Sequence, residues 1–67
     1  MSKLFSTHDV ERILLKAGFI FVSQSGSHMK FSKGSRTVIV PANRKEVARG
    51  TLASIKRQSN LPHLFKK

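Results

Sequence analysis

The apolar residues of this chain change their spacing at Gly18, and this change constrains the fold more than any other feature of the sequence. Before Gly18, four apolar residues recur three or four positions apart: Val10, Ile13, Leu14 and Ala17. This period is typical of one face of an amphipathic α-helix. After Gly18, short runs of β-branched and aromatic residues alternate with polar ones, which is the period of a strand. The chain therefore has to combine helices with strands.

The first helix is predicted over residues 6–18. Ser6 and Thr7 supply hydroxyls that are candidates for capping the first backbone N–H groups. Asp9 and Glu11 place negative charge in the first turn, where the helix dipole stabilises it. We therefore interpret them as structural residues rather than as a catalytic carboxylate pair. Gly18 supplies the left-handed residue that ends the helix.

Three strands follow, predicted over residues 19–22, 27–32 and 36–40. Turns containing glycine separate them, and Pro41 closes the third strand because proline cannot donate a hydrogen bond to a sheet. Within the second strand, Met29 and Phe31 are expected to point toward the core. Three polar residues are expected on the opposite, solvent-facing side: His28, Lys30 and Ser32.

The rest of the chain predicts a loop and a second helix. Residues 42–49 are polar and charged without a clear period, and we expect a loop that can contain a helical turn. The helix that follows has Thr51 as its expected N-cap residue, with Leu52 and Ile55 on its inner face. Asn60 is expected in the left-handed conformation at its end.

The order helix, three strands, loop, helix predicts an α+β fold of two layers, in which two helices cover one face of a three-stranded antiparallel sheet. This α-β-β-β-α order resembles the topology of double-stranded-RNA-binding domains. A chain of 67 residues has room for one domain, which we expect to span residues 1–67. Its last five residues, 63–67, are expected either to dock or to fray.

Thirteen Lys and Arg residues stand against three Asp and Glu, so the formal net charge is +10. This excess favours a polyanionic partner such as RNA. The chain has no cysteine, which excludes disulfides and thiolate zinc sites. Its first residues are too polar for a secretory signal, and no apolar run approaches the length of a membrane span. We expect a cytoplasmic protein without a membrane segment.

The inventory of reactive side chains excludes most kinds of catalytic site. The three histidines, His8, His28 and His63, fall in three different predicted elements, so we expect no metal site. The four glycines form no phosphate-binding loop, and we expect no cofactor. Glu46 stands alone in the predicted loop and lacks a carboxylate partner.

His28 is the candidate that remains, on the solvent-facing side of a strand and two residues from Lys30. An imidazole exchanges protons near neutral pH, and a nearby ammonium group can hold a phosphate. RNA carries its own nucleophile, the 2′-hydroxyl group, so its cleavage needs only a proton acceptor and stabilisation of charge. From the residue pattern alone, His28 can also be a histidine without function. Two other functions remain open for the chain: a non-catalytic RNA-binding module, and an inhibitor that binds only protein.

Three motifs follow one another along the chain: G-S-H-x-x-F at residues 26–31, V-x-V-P at residues 38–41, and G-T-L-x-x-I-x-x-Q at residues 50–58, followed by Leu61. Read in this order, they resemble the HicA toxins of bacterial HicAB toxin–antitoxin systems. The resemblance extends from the first helix to Leu61, nearly the whole chain. It implies a ribonuclease that cleaves mRNA and arrests translation, with His28 as the catalytic residue and a HicB antitoxin as its inhibitor.

Around His28, we expect RNA to contact six further residues: Gly26, Ser27, Lys30, Lys33, Arg44 and Lys45. The sequence departs from the family pattern at three places. Many relatives have a second histidine where this chain has Met29, and many have a histidine where it has Ala42 and Asn43. The second helix usually ends with a glycine where this chain has Asn60, a residue type that tolerates the left-handed conformation.

Overall fold

The computed structural model describes residues 5–65. Its elements follow the predicted order: α1 (Thr7–Lys16), β1 (Ile20–Ser25), β2 (His28–Lys33), β3 (Arg36–Pro41), α2 (Arg49–Ser59) and a 3-10 turn (Pro62–Leu64). The strands form one antiparallel sheet in the order β1-β2-β3. The predicted α+β fold, similar to that of double-stranded-RNA-binding domains, is thereby confirmed. Among residues 5–65, no helix is long and apolar enough to cross a membrane.

Both helices pack on one face of the sheet and share a single core with it. The core residues of the sheet are Met29, Phe31, Val38 and Val40, and those of the helices are Val10, Leu14, Leu52 and Ile55. The predicted alternation along β2 is confirmed, since Met29 and Phe31 are buried whereas His28 and Lys30 are exposed. The opposite face of the sheet is covered by no element among residues 5–65, and we call it the open face.

The start of α1 follows the prediction closely. The Ser6 hydroxyl accepts a hydrogen bond from the backbone N–H of Asp9, and the Asp9 carboxylate accepts one from the backbone N–H of Ser6, both at 3.0 Å. This reciprocal capping box satisfies two N–H groups that the helix itself leaves without partners. The prediction for Glu11 was wrong, since Asp9 is the acidic residue of the first turn and Glu11 lies beyond that turn.

β1 is longer than predicted. It continues through Gln24 and Ser25, which pair with Met29 and His28, respectively. The turn therefore contains only Gly26 and Ser27. In the sequence, the polar residues Gln24 and Ser25 are typical of a turn, but pairing with β2 holds them in the sheet. Gly26 has a φ of 58°, a conformation that two-residue hairpin turns require and glycine adopts without strain.

The start of α2 is also different from the prediction, which was wrong in making Thr51 its cap. The helix begins at Arg49 after Ala48, which provides no side-chain hydrogen bond. Two residues before the helix, Val47 is fully buried, and its N–H donates to the Phe5 carbonyl at 2.6 Å. At the other end, Asn60 has the left-handed φ of 60° that the sequence predicted.

Of the two alternatives for the tail, docking and fraying, the structure shows docking as far as Phe65. Its side chain is 3% exposed and makes an edge-to-face contact with Phe5, with ring centroids 5.8 Å apart. Residues 66–67 of that prediction lie outside the described part of the chain.

Candidate active site

His28 begins β2 directly after the Gly26–Ser27 turn. Its backbone pairs with Ser25 of β1 on one side and with Pro41 of β3 on the other. The side chain lies on the open face and is exposed, as predicted. Within residues 5–65 no hydrogen bond involves the imidazole, so both ring nitrogens are available to a substrate.

Lys30 lies on the same face as His28, one pleat further along β2. Residues two apart on a strand are separated by about 7 Å, a distance that a phosphate and its adjoining ribose can span. Lys30 pairs with Ser23 of β1 and Ile39 of β3. Its ammonium group, like the imidazole, takes part in no hydrogen bond within residues 5–65. A free cation and a free proton acceptor therefore stand side by side on an accessible surface.

The neighbours of these two side chains are small on the β1 side. Antiparallel partners point to the same face of a sheet, so Ser25 flanks His28 and Ser23 flanks Lys30. Their short hydroxyl side chains leave the space above β2 open. The irregularity in the register between Phe21 and Ser23 marks a bulge on this strand, a feature that often re-aims side chains next to functional sites.

The Gly26–Ser27 turn borders His28 at the end of the sheet. A Cβ atom added to Gly26 would meet nothing within 4 Å, so the backbone there is open to an approaching ligand. The Ser27 carbonyl accepts a hydrogen bond from the N–H of Ala42 at 2.7 Å. This bond ties the turn to the segment that carries Arg44 and Lys45.

Thr7 holds the 42–45 segment in place. Its buried hydroxyl donates to the Pro41 carbonyl at 2.7 Å and accepts from the N–H of Arg44 at 2.9 Å. The backbone N–H of Thr7 in turn donates to the Arg44 carbonyl at 2.9 Å. The sequence suggested no such role for Thr7, because its partners lie 34 and 37 residues away. Arg44 and Lys45 are therefore exposed side chains on an anchored segment.

Arg44 and Lys45 also line a cleft of about 640 Å³ on the helix side of the sheet. The buried side chains of Met29 and Ala42 contribute its apolar part. Its other polar lining residues are Ser6, Thr7, His8, Glu11, Gln24 and Asn43. This cleft could not be predicted from the sequence, because it is formed by residues from four separate parts of the chain. The only signal in the sequence was the spacing of His8 and Glu11, which places both on one face of α1.

Lys33 lies away from His28, although it was predicted to contact RNA beside it. It lies at the far end of β2 from His28, and its ammonium group donates to the Ala17 carbonyl at the end of α1, at 2.5 Å. Arg36, its partner on β3, donates to the Gln58 carbonyl near the end of α2, at 3.3 Å. Both cations therefore stabilise carbonyl groups at helix C-termini, where positive charge is favoured.

No group of three His, Asp or Glu residues within residues 5–65 lies close enough together to ligate a metal ion. The candidate site thus consists of His28, Lys30, the Gly26–Ser27 turn and the anchored cations of the 42–45 segment.

In a comparison with protein families, the model described as the HicA toxin of bacterial toxin–antitoxin systems matches residues 7–61, which include every residue of the candidate site. A comparison with curated proteins finds no match.

Proposed function

The chain belongs to the HicA toxin family of bacterial toxin–antitoxin systems, and on this premise we propose that it is an RNA endonuclease that cleaves mRNA in the cytoplasm and so arrests translation. The observation that carries the proposal is the position of His28. Its imidazole is exposed, free of hydrogen bonds within residues 5–65, and next to the free ammonium group of Lys30. These are the two groups that cleavage of RNA by its own 2′-hydroxyl requires.

In the proposed reaction, His28 accepts the proton of a ribose 2′-hydroxyl group. The 2′-oxygen attacks the adjacent phosphorus, and the bond from phosphorus to the 5′-oxygen of the next nucleotide breaks. The products are a 2′,3′-cyclic phosphate and a 5′-hydroxyl, whose proton comes from the protonated imidazole or from water. Lys30 stabilises the negative charge that develops on the phosphate oxygens in the transition state.

The basic surface around His28 supports RNA as the substrate. The net charge of +10 attracts the phosphate backbone. Arg44 and Lys45 are exposed on a segment that Thr7 anchors beside the Gly26–Ser27 turn. RNA would lie over the turn and the open face, with Gly26 allowing close approach of its backbone and Ser27 bordering it. Lys33 is left out of this surface because it caps α1.

We also propose that a HicB antitoxin neutralises the toxin by covering this face. Such a partner should be acidic, because complementary charge favours association with a surface as basic as this one. Several large apolar side chains on or next to the edge strand β1 are exposed and suit contact with a protein partner: Leu15, Ile20, Phe21 and Val22.

The proposal is tested with purified wild-type protein and the His28→Ala variant, incubated with mRNA in the presence of EDTA to exclude contaminating metal-dependent nucleases. His63→Ala is the matched control, because His63 is also exposed but lies outside the site. Wild type and His63→Ala should cleave RNA, and His28→Ala should not, although it should remain folded. Binding of RNA without cleavage by the wild type would instead establish a non-catalytic RNA-binding module.

A further inference from the structure

The cleft beneath the His28 end of the sheet contains groups that the cleavage step does not use. Its floor includes the buried side chains of Met29 and Ala42, and polar side chains surround it. Its volume of about 640 Å³ is within the range of pockets that bind small organic groups. An apolar floor with a polar rim suits a flat heterocycle, and two of the rim residues are the cations Arg44 and Lys45.

The cleft and His28 share one end of the sheet. His28 and Met29 are consecutive in β2 and point to opposite faces, His28 toward the open face and Met29 into the cleft. The Gly26–Ser27 turn and Ala42, joined by their backbone hydrogen bond, form the edge between the two faces. An RNA strand that crosses His28 has to pass only around this edge to place a neighbouring base in the cleft.

Glu11 supplies a carboxylate acceptor in this cleft. It is half-buried, and within residues 5–65 its carboxylate has no hydrogen-bond partner. The amide nitrogen of Gln24 donates to the Gly26 carbonyl at 3.0 Å, which leaves the amide oxygen of Gln24 as a second acceptor. Two acceptors above an apolar floor match a base whose edge presents hydrogen-bond donors.

We propose that this cleft binds an unpaired nucleobase next to the cleaved phosphodiester, and that Glu11 selects guanine. The Watson–Crick edge of guanine presents two adjacent donors to one carboxylate, whereas that of uracil presents a single donor between two acceptors. Arg44 and Lys45 hold the phosphates on either side of this base. The inference rests on the proposed function, since it assigns a base-binding site to the same RNA substrate.

The test uses the His28→Ala protein, so that RNA is bound without being cut. Fluorescence anisotropy measures its affinity for labelled octamers of uridine in which one central position is guanosine, uridine or abasic. The guanosine octamer should bind at least about fivefold more tightly than the other two, the lower end of what one bidentate base contact contributes. Adding Glu11→Gln should abolish this preference.

Glu46→Gln is the matched control, because it removes the same charge from an exposed residue outside the cleft. Added to His28→Ala, it should tighten binding of all three octamers and retain the preference for guanosine. Equal affinities in the His28→Ala protein, or a preference that survives Glu11→Gln, would overturn the proposal. If one of these contradicting results is found but the wild type cleaves the octamers, the nuclease proposal stands and only the base site falls. If Glu11 controls the preference but wild type cleaves no octamer, the nuclease proposal falls and the base site stands.

Discussion

Gln58 of α2 accepts a hydrogen bond from the backbone N–H of Ile39, with 3.2 Å between the amide oxygen and the nitrogen. β3 is an edge strand, so this N–H has no partner strand and would otherwise face water. The bond fastens the second helix to the sheet at the middle of β3. It gives the glutamine of the G-T-L-x-x-I-x-x-Q motif a structural role rather than a catalytic one.

Gln58→Ala should therefore lower the free energy of unfolding by about 0.5–1.5 kcal/mol, the contribution of one typical hydrogen bond. Arg57→Ala is the control, because Arg57 is exposed on the same helix and makes only a 3.5 Å contact with Ser54. Urea denaturation of both variants measures the difference. Equal stability of the two variants would show that the bond contributes nothing.

Thr7→Val should loosen the 42–45 segment. Valine keeps the shape of the side chain but leaves the Pro41 carbonyl and the Arg44 N–H without their partner, at a cost of about 1–3 kcal/mol. Hydrogen exchange at the Arg44 amide should become faster, and affinity for RNA should fall. Thr37→Val, on the exposed part of β3, should change neither, since no hydrogen bond within residues 5–65 involves the Thr37 side chain.

Lys30 and Lys33 should respond differently to the same substitution, because they lie on opposite faces of β2. Lys30→Gln should lower the rate of RNA cleavage by about 10- to 100-fold without loss of stability, since it removes a cation that stabilises the transition state. Lys33→Gln should lower the midpoint of thermal unfolding and leave the cleavage step nearly unchanged. Both variants are assayed side by side for cleavage rate and stability. If Lys33→Gln lowered the rate and Lys30→Gln lowered the stability, the phosphate would bind at the Lys33 end of β2 instead.

Phe65→Ala should remove a large part of the stability of this small domain. The ring is 3% exposed, and truncating a buried phenylalanine costs about 3–5 kcal/mol. Leu64→Ala is the control, because Leu64 is 40% exposed and its truncation should cost about 1 kcal/mol or less. Circular dichroism during thermal unfolding measures both. A tail that only rests on the surface would give two small and similar losses.

Much of the fold could be predicted because local patterns and tertiary packing agree. The apolar stripe of α1, the alternation in β2 and the left-handed residue Asn60 each follow from the residue types alone. The boundaries that failed depend on contacts that local residue patterns do not show. Ser25 belongs to a strand because it pairs with His28 across a two-residue turn, and the burial of Val47 ahead of α2 could not be predicted from the polar segment around it.

The same division applies to the candidate site. The pleat of β2 puts His28 beside Lys30, and this could be predicted from their spacing of two residues. The hydrogen bonds of Thr7 and the cleft that includes Glu11 could not, because both depend on how α1 packs against a segment more than 30 residues away. Lys33 was predicted to belong to the basic surface, but its ammonium group donates to the Ala17 carbonyl.

The most direct test of the account is the chemistry of the RNA ends that the purified protein produces in EDTA. If His28 activates the 2′-hydroxyl of the substrate, the 5′ fragments should end in 2′,3′-cyclic phosphates and the 3′ fragments should begin with a 5′-hydroxyl. The same RNA with 2′-deoxyribose at the cleavage site should remain intact, and His28→Ala should give no fragments. Fragments that end in a plain 3′-hydroxyl, or cleavage by folded His28→Ala protein, would contradict the account.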